Sequence, residues 1–167
     1  MIPPIQFDVD DAQRAADAWG FNCGPAAIAA ILCTTPEQIR PHLSDFEHKG
    51  YMNPSMVFAS LRLLQRPGTQ IALPDKWTLP VYGLARIQWG GPWLKEGVPI
   101  AARYQHTHWI AAVKDALGPM VFDVNSTCAG WITFHEWAYQ LVPWLLGQHK
   151  RADGSWYVTH AIEVPHA

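Results

Sequence analysis

The chain has 167 residues, 49% of them hydrophobic and 16% charged, with a formal net charge of −2. That is enough apolar material for one ordinary globular domain with a real core. The near-neutral balance, with Lys150-Arg151 as its one conspicuous basic pair, argues against a nucleic-acid partner. The opening residues, Met1-Ile2-Pro3-Pro4-Ile5-Gln6-Phe7-Asp8, lack a basic stretch followed by an apolar one, and no apolar run reaches the length of a membrane span. No membrane association is expected, and a cytoplasmic location, in a bacterium or after infection by a phage, is the default. Three cysteines without clustered spacing fit a reducing compartment, with Cys33 and Cys128 read as structural.

Asp10 to Trp19, rich in Ala and polar residues, predicts a short helix before the turn at Gly20. A second helix opens at Cys23 and runs to about Cys33, because Pro25 suits a first turn and the Ala/Ile/Leu run after it suits a helix interior. Thr35-Pro36-Glu37-Gln38 has the pattern of a capping box and predicts a short helix to Leu43. Asn53-Pro54-Ser55 opens another, with Met56, Phe58-Ala59, Leu61 and Leu63-Leu64 at helical spacing, until Arg66-Pro67-Gly68 stops it. Between Pro74 and Gly97 the best candidate for an element is a short helix over Gly83 to Trp89. Val98 to Tyr104, His108 to Val113 and Met120 to Val124 read as adjacent antiparallel strands. Thr133-Phe134-His135-Glu136 repeats the capping pattern and begins a helix through Leu146; Trp156 to Val164 reads as a last strand after the Asp153-Gly154 turn. Helices first and strands afterwards predict a single α+β domain over residues 1–167.

Asn22-Cys23-Gly24-Pro25 places a thiol at the start of a helix. Unpaired amide donors and the positive end of the helix dipole there favour the thiolate, which is the nucleophilic form. A cysteine nucleophile needs an imidazole to take its proton and a third group to orient the ring. His108 opens a strand in Thr107-His108-Trp109-Ile110, and Asp123 lies on the next one, so a tight hairpin through Lys114 to Pro119 brings the carboxylate to the ring. His106, two residues earlier, would share a face with His108, and Asn125 would share one with Asp123. The His106/His108 pair also admits a metal reading, with His160 or Asp123 as a further ligand, but no Cys-x-x-Cys or His-x-x-x-His spacing supports it.

Together the helix-opening Cys-Gly-Pro-Ala, the strand-opening His with its apolar run and the Asp on the next strand resemble the papain-like cysteine peptidase superfamily, most closely its bacterial C39-like branch. The resemblance covers roughly residues 17 to 126. It implies a papain-like fold, with a helical N-terminal half carrying the nucleophile at a helix N-terminus, packed on a C-terminal antiparallel sheet. By resemblance Cys23 is the nucleophile, His108 the general base and then acid, and Asp123 the orienting group, with His106 and Asn125 as alternatives. Such families carry a Gln six residues before the cysteine to stabilise the oxyanion, and here that place holds Asp17, which when ionised cannot donate a hydrogen bond. Gln13 and Asn22 are the candidate substitutes, beside the Cys23 backbone amide. Trp19 and Trp109 are candidates to line a substrate groove, and Trp89 to sit in a loop over it. The implied activity is hydrolysis of a peptide, isopeptide or side-chain amide bond in a protein or peptide substrate, without a cofactor. A deamidase or acyltransferase on the same triad, or a non-catalytic binding module on the same scaffold, are the alternatives.

Overall fold

A computed structural model describes residues 1–126, 130–148 and 150–166; Cys128 lies outside the described residues. Helix α1 (Val9–Trp19) starts at a reciprocal capping box between Asp8 and Asp11 and ends at Gly20 in the left-handed conformation, φ 82°. Helix α2 (Cys23–Ile31) follows after three residues, and every residue of it beyond Cys23 is buried. The Thr35/Gln38 capping box forms and opens α3 (Pro36–Ile39). Arg40–His42 is a 3₁₀ turn carrying Pro41, so the α-helix stops short of Leu43. Helices α4 (Phe46–Lys49) and α5 (Pro54–Leu63) complete the N-terminal half.

The remaining chain forms a six-stranded antiparallel sheet in the order β1-β6-β2-β3-β4-β5. Its strands are β1 (Thr69–Gln70), β2 (Tyr82–Trp89), β3 (Thr107–Asp115), β4 (Gly118–Phe122), β5 (Trp131–Thr133) and β6 (Trp156–Glu163). The architecture is α+β. Two expectations are corrected here. Gly83 to Trp89 is not a helix but most of β2, a central strand with every residue buried. Leu84 packs toward the helical half while Ala85, Ile87 and Trp89 pack toward the other layer, so the alternation that marks a half-exposed strand is missing. Val98 to Tyr104 is not a strand but leads into α6 (Ile100–Tyr104), begun after Pro99, which supplies the fixed φ suited to a helix entry.

Each sheet face has its own core. On one, α2 lies against Leu84, Ala111, Val113 and Ile162. On the other, Ala85, Ile87, Ile110 and Val121 meet Trp137, Val142 and Leu146. These last three come from the chain after β5, where α7 (Phe134–Glu136) runs through a π-helical turn (Trp137–Leu141) into α8 (Val142–Gln148). The Tyr82 hydroxyl donates to the Ile31 carbonyl at 2.6 Å, pinning the C-terminal end of α2 to the start of β2. The other end of α2, with Cys23, is thereby set toward the end of β2, where Ile87 pairs with His108. Cys33, read above as structural, lies just past α2 and is exposed, with φ 52°. Among the described residues no helix is long and apolar enough to cross a membrane.

Candidate active site

Asn22 creates the local geometry at Cys23. In extended conformation it caps α2, its Oδ1 accepting the Gly24 N–H at 3.3 Å and its carbonyl accepting that of Ala26 at 2.9 Å. Asn22 takes the amide of Gly24 rather than that of Cys23, whose N–H belongs to the first turn and has no acceptor within the helix. Its Nδ2 donates to the Gly50 carbonyl at 3.1 Å, so Asn22 is both a cap and a tether, and it lines both cavities beside the thiol.

His108 is the second residue of β3 and is 7% exposed. The β3–β4 ladder runs from Asp115↔Gly118 to Ala111↔Phe122; one further step sets Asp123 beside Ile110, on the face His108 shares. His108 Nε2 lies 2.8 Å from Asp123 Oδ2, leaving Nδ1 for the thiol. Asp123 is fully buried, and its Oδ2 also accepts the Trp137 indole N–H at 2.9 Å. Its Oδ1 takes the Asn125 backbone N–H at 2.9 Å and the Asn125 Nδ2 at 3.1 Å. Asn125 therefore braces the carboxylate; the group that meets the ring is Asp123. Trp89 stacks on the imidazole at 5.7 Å and 23°.

Charge follows from this packing. Burial alone would raise the Cys23 pKa, but the charge and hydrogen bond of His108 and the Trp109 backbone N–H outweigh it and hold the thiol below its ordinary value. Burial opposes protonation of His108, and the Asp123 carboxylate and Cys23 reverse this, lifting the imidazole well above its usual range. Asp123, despite burial, is held low by the His108 charge and the bonds from His108, Trp137 and Asn125. The arrangement favours a thiolate beside an imidazolium, the form that attacks carbonyl carbon.

Cys23 and Asn22 separate two cavities. The smaller, about 400 Å³, is lined by Cys23, His108, Gln13, Phe7, Phe21 and Phe122. The larger, about 920 Å³, is lined by Cys23, Trp109, Arg86, His160, Tyr104 and the 51–55 segment. Gln13, ten residues before the thiol, thus reaches its cavity from α1, and its Nε2 donates to Asp17 Oδ1 at 2.9 Å one turn along. Asp17 does not line either cavity; it orients Gln13.

Three further expectations change. His106 lies in the turn before β3, not on the strand, and its ring stacks on Trp93 at 3.5 Å and 11°, so it shares no site with His108 for catalysis or for a metal. Trp19 lines neither cavity; it packs edge-on against Phe21 and Phe46 with Arg40 over its ring. Trp89 is no loop residue but the buried last position of β2, a wall behind the imidazole. Trp109 does line the larger cavity, with its indole N–H donating to the Met52 carbonyl at 2.8 Å.

Sequence reasoning missed Trp137 and Arg86. Thr133 capping a helix ten residues after Asp123 was the available signal for an aromatic returning to that carboxylate. For Arg86 the signal was a single charge inside the short apolar run that forms β2. No protein-family model, curated protein or solved structure matches this chain.

Proposed function

We propose that this chain is a papain-like cysteine hydrolase that cleaves a peptide, isopeptide or side-chain amide bond through a thioester. The observation that carries the reading is a helix-opening thiol whose pKa is pulled down by an imidazole that is itself bonded to a buried carboxylate at 2.8 Å. The papain-like description rests on that order of residues and on a helix bearing the thiol packed against an antiparallel sheet.

Cys23 Sγ attacks the carbonyl carbon, forming the C–S bond as the carbonyl π pair moves to oxygen. The Cys23 backbone N–H and the Gln13 amide are the donors for that oxyanion. As the tetrahedral species collapses, the C–N bond breaks and the His108 imidazolium gives its proton to the departing nitrogen. Neutral His108 then takes a proton from water, whose oxygen attacks the thioester; the carboxylic acid leaves and the thiolate returns. Asp123 keeps the ring oriented throughout and stabilises its charged form. Because Gln13 stands in the cavity, the Asp17 departure does not by itself favour the binding-module alternative.

Iodoacetamide at neutral pH is expected to alkylate Cys23, located by peptide mass mapping, much faster than it alkylates exposed Cys33. Cys23→Ala should remove that fast modification and all amidase activity on a casein or peptide-library substrate while leaving the circular dichroism spectrum unchanged. Slow alkylation of Cys23, comparable with that of an ordinary thiol, would overturn the nucleophile assignment.

A further inference from the structure

Beyond the thiol and its partners, the larger cavity holds a cation with an unfilled donor. Arg86 is 5% exposed, yet its Nε has no hydrogen-bond partner, and among the described residues no carboxylate pairs with it. Its Nη2 reaches Thr107 Oγ1 at 3.3 Å, and its guanidinium lies 5.2 Å from the Tyr104 ring centroid. Leaving a buried charged donor unsatisfied is costly, and burial disfavours the Arg86 cation. A guanidinium serving only to brace the sheet would have its planar fork filled from within the fold.

The register shows where this cation faces. Arg86 pairs directly with Trp109 on β3 and with His160 on β6, so the three side chains form a row on one face of the sheet. That is the face α2 covers further along; before α2 begins, the row is the floor of the larger cavity, with Cys23 at its edge. The cavity lining contains Arg86 and His160 and no Asp or Glu. His108, which protonates the leaving nitrogen, lines the smaller cavity only. The leaving nitrogen and the scissile carbonyl oxygen therefore belong on the side of the smaller cavity, with His108 and Gln13, and the larger cavity is left for the acyl residues.

We infer that the larger cavity is an acyl-side specificity subsite for a peptide bearing a carboxylate side chain, with Arg86 as its anchor and Thr107 and Tyr104 holding the guanidinium in place. The inference rests on Cys23 being the nucleophile only for which side of the bond the carboxylate occupies. A carboxylate in the cavity would meet the guanidinium through charge-assisted bonds to its amino edge and neutralise the buried cation. Glutamine at the same position would leave the cation buried and unneutralised.

The test uses the wild-type protein and peptidyl vinyl sulfones with Glu, Gln or Lys at the first or second residue before the electrophile. At one of those positions Glu should inactivate the protein about tenfold or more faster than Gln, with Lys slowest. Arg86→Met should erase the Glu preference, and Arg86→Lys, which keeps charge without the fork, should keep part of it. Equal wild-type rates for Glu and Gln at both positions overturn the inference, whatever the variants do. Iodoacetamide on the same preparation separates the two readings: fast alkylation of Cys23 with no Glu preference leaves the nucleophile standing and removes the subsite. Where no electrophile reacts, acetyl-Glu-Ala-amide titrated into Cys23→Ala should move the Arg86 Nε–Hε nuclear magnetic resonance signal and acetyl-Gln-Ala-amide should not. Absence of a Glu-specific shift there also overturns the inference.

Discussion

Cys23 and His108 hold each other charged, and that fixes the direction of their pH dependence. The depressed thiol remains ionised below its ordinary pKa of 9.0, so alkylation should already be fast at neutral pH and decline as pH falls through the lowered Cys23 value. In the proposed mechanism turnover also uses the imidazolium as acid and should fall as pH rises through the raised His108 pKa, giving a bell-shaped profile. The same group links to stability. With its folded pKa raised, His108 contributes fully below its unfolded value near 6.5, and that contribution is lost as pH rises through the folded value. Asp123 works oppositely, its contribution present above its unfolded pKa and lost as acid reaches the lowered folded value. Asp123→Asn keeps an acceptor for the ring but removes the charge; it should move the alkylation midpoint to higher pH and cost turnover on the order of 10²–10⁴-fold. Cys23, His108 and Asp123 were readable from sequence because each sits at an element boundary with its own signature. His106 stands only as an alternative in the sequence, and it drops out because two-residue spacing implies one face only within a strand and the strand begins at Thr107.

At the scale of elements, β2 decides where everything else lies. It separates the two cores, carries Arg86 and Trp89, and pairs with both β3 and β6. Its second residue has no room for a side chain: a Cβ on Gly83 would stand 1.8 Å from the Ile162 carbonyl oxygen. Gly83→Ala should therefore cost at least about 3 kcal/mol in urea unfolding or prevent soluble expression, because the clash is with backbone and cannot be relieved by a rotamer change. The helical half was legible since its boundaries are written in caps and prolines, as at Thr35-Pro36 and Asn53-Pro54. β2 was not, because burial on both faces erases the alternation that distinguishes a strand. Ile100 to Tyr104 failed for the reverse reason: an apolar, short run after Pro99 has strand composition, yet Ile100 and Tyr104 are exposed and the segment curls into one helical turn.

Across the whole molecule, the helical half and the sheet meet through aromatic edges. Phe7 stands edge-on to Phe21 at 5.8 Å and to Phe122 at 5.7 Å, bridging the two parts while lining the smaller cavity. Phe7→Ala should destabilise the fold by about 3–5 kcal/mol in denaturant titration, as expected for truncating a buried Phe. A second junction lies on the opposite side of the thiol. There Asn22 holds the Gly50 carbonyl and Trp109 holds the Met52 carbonyl, fixing the segment that walls the larger cavity. Since the Asn22 side chain also caps α2, the wall and the first helical turn share one anchoring residue. Opening of the cleft and fraying of the helix start are thereby coupled through Asn22, and a ligand bridging the wall and the thiol opposes both.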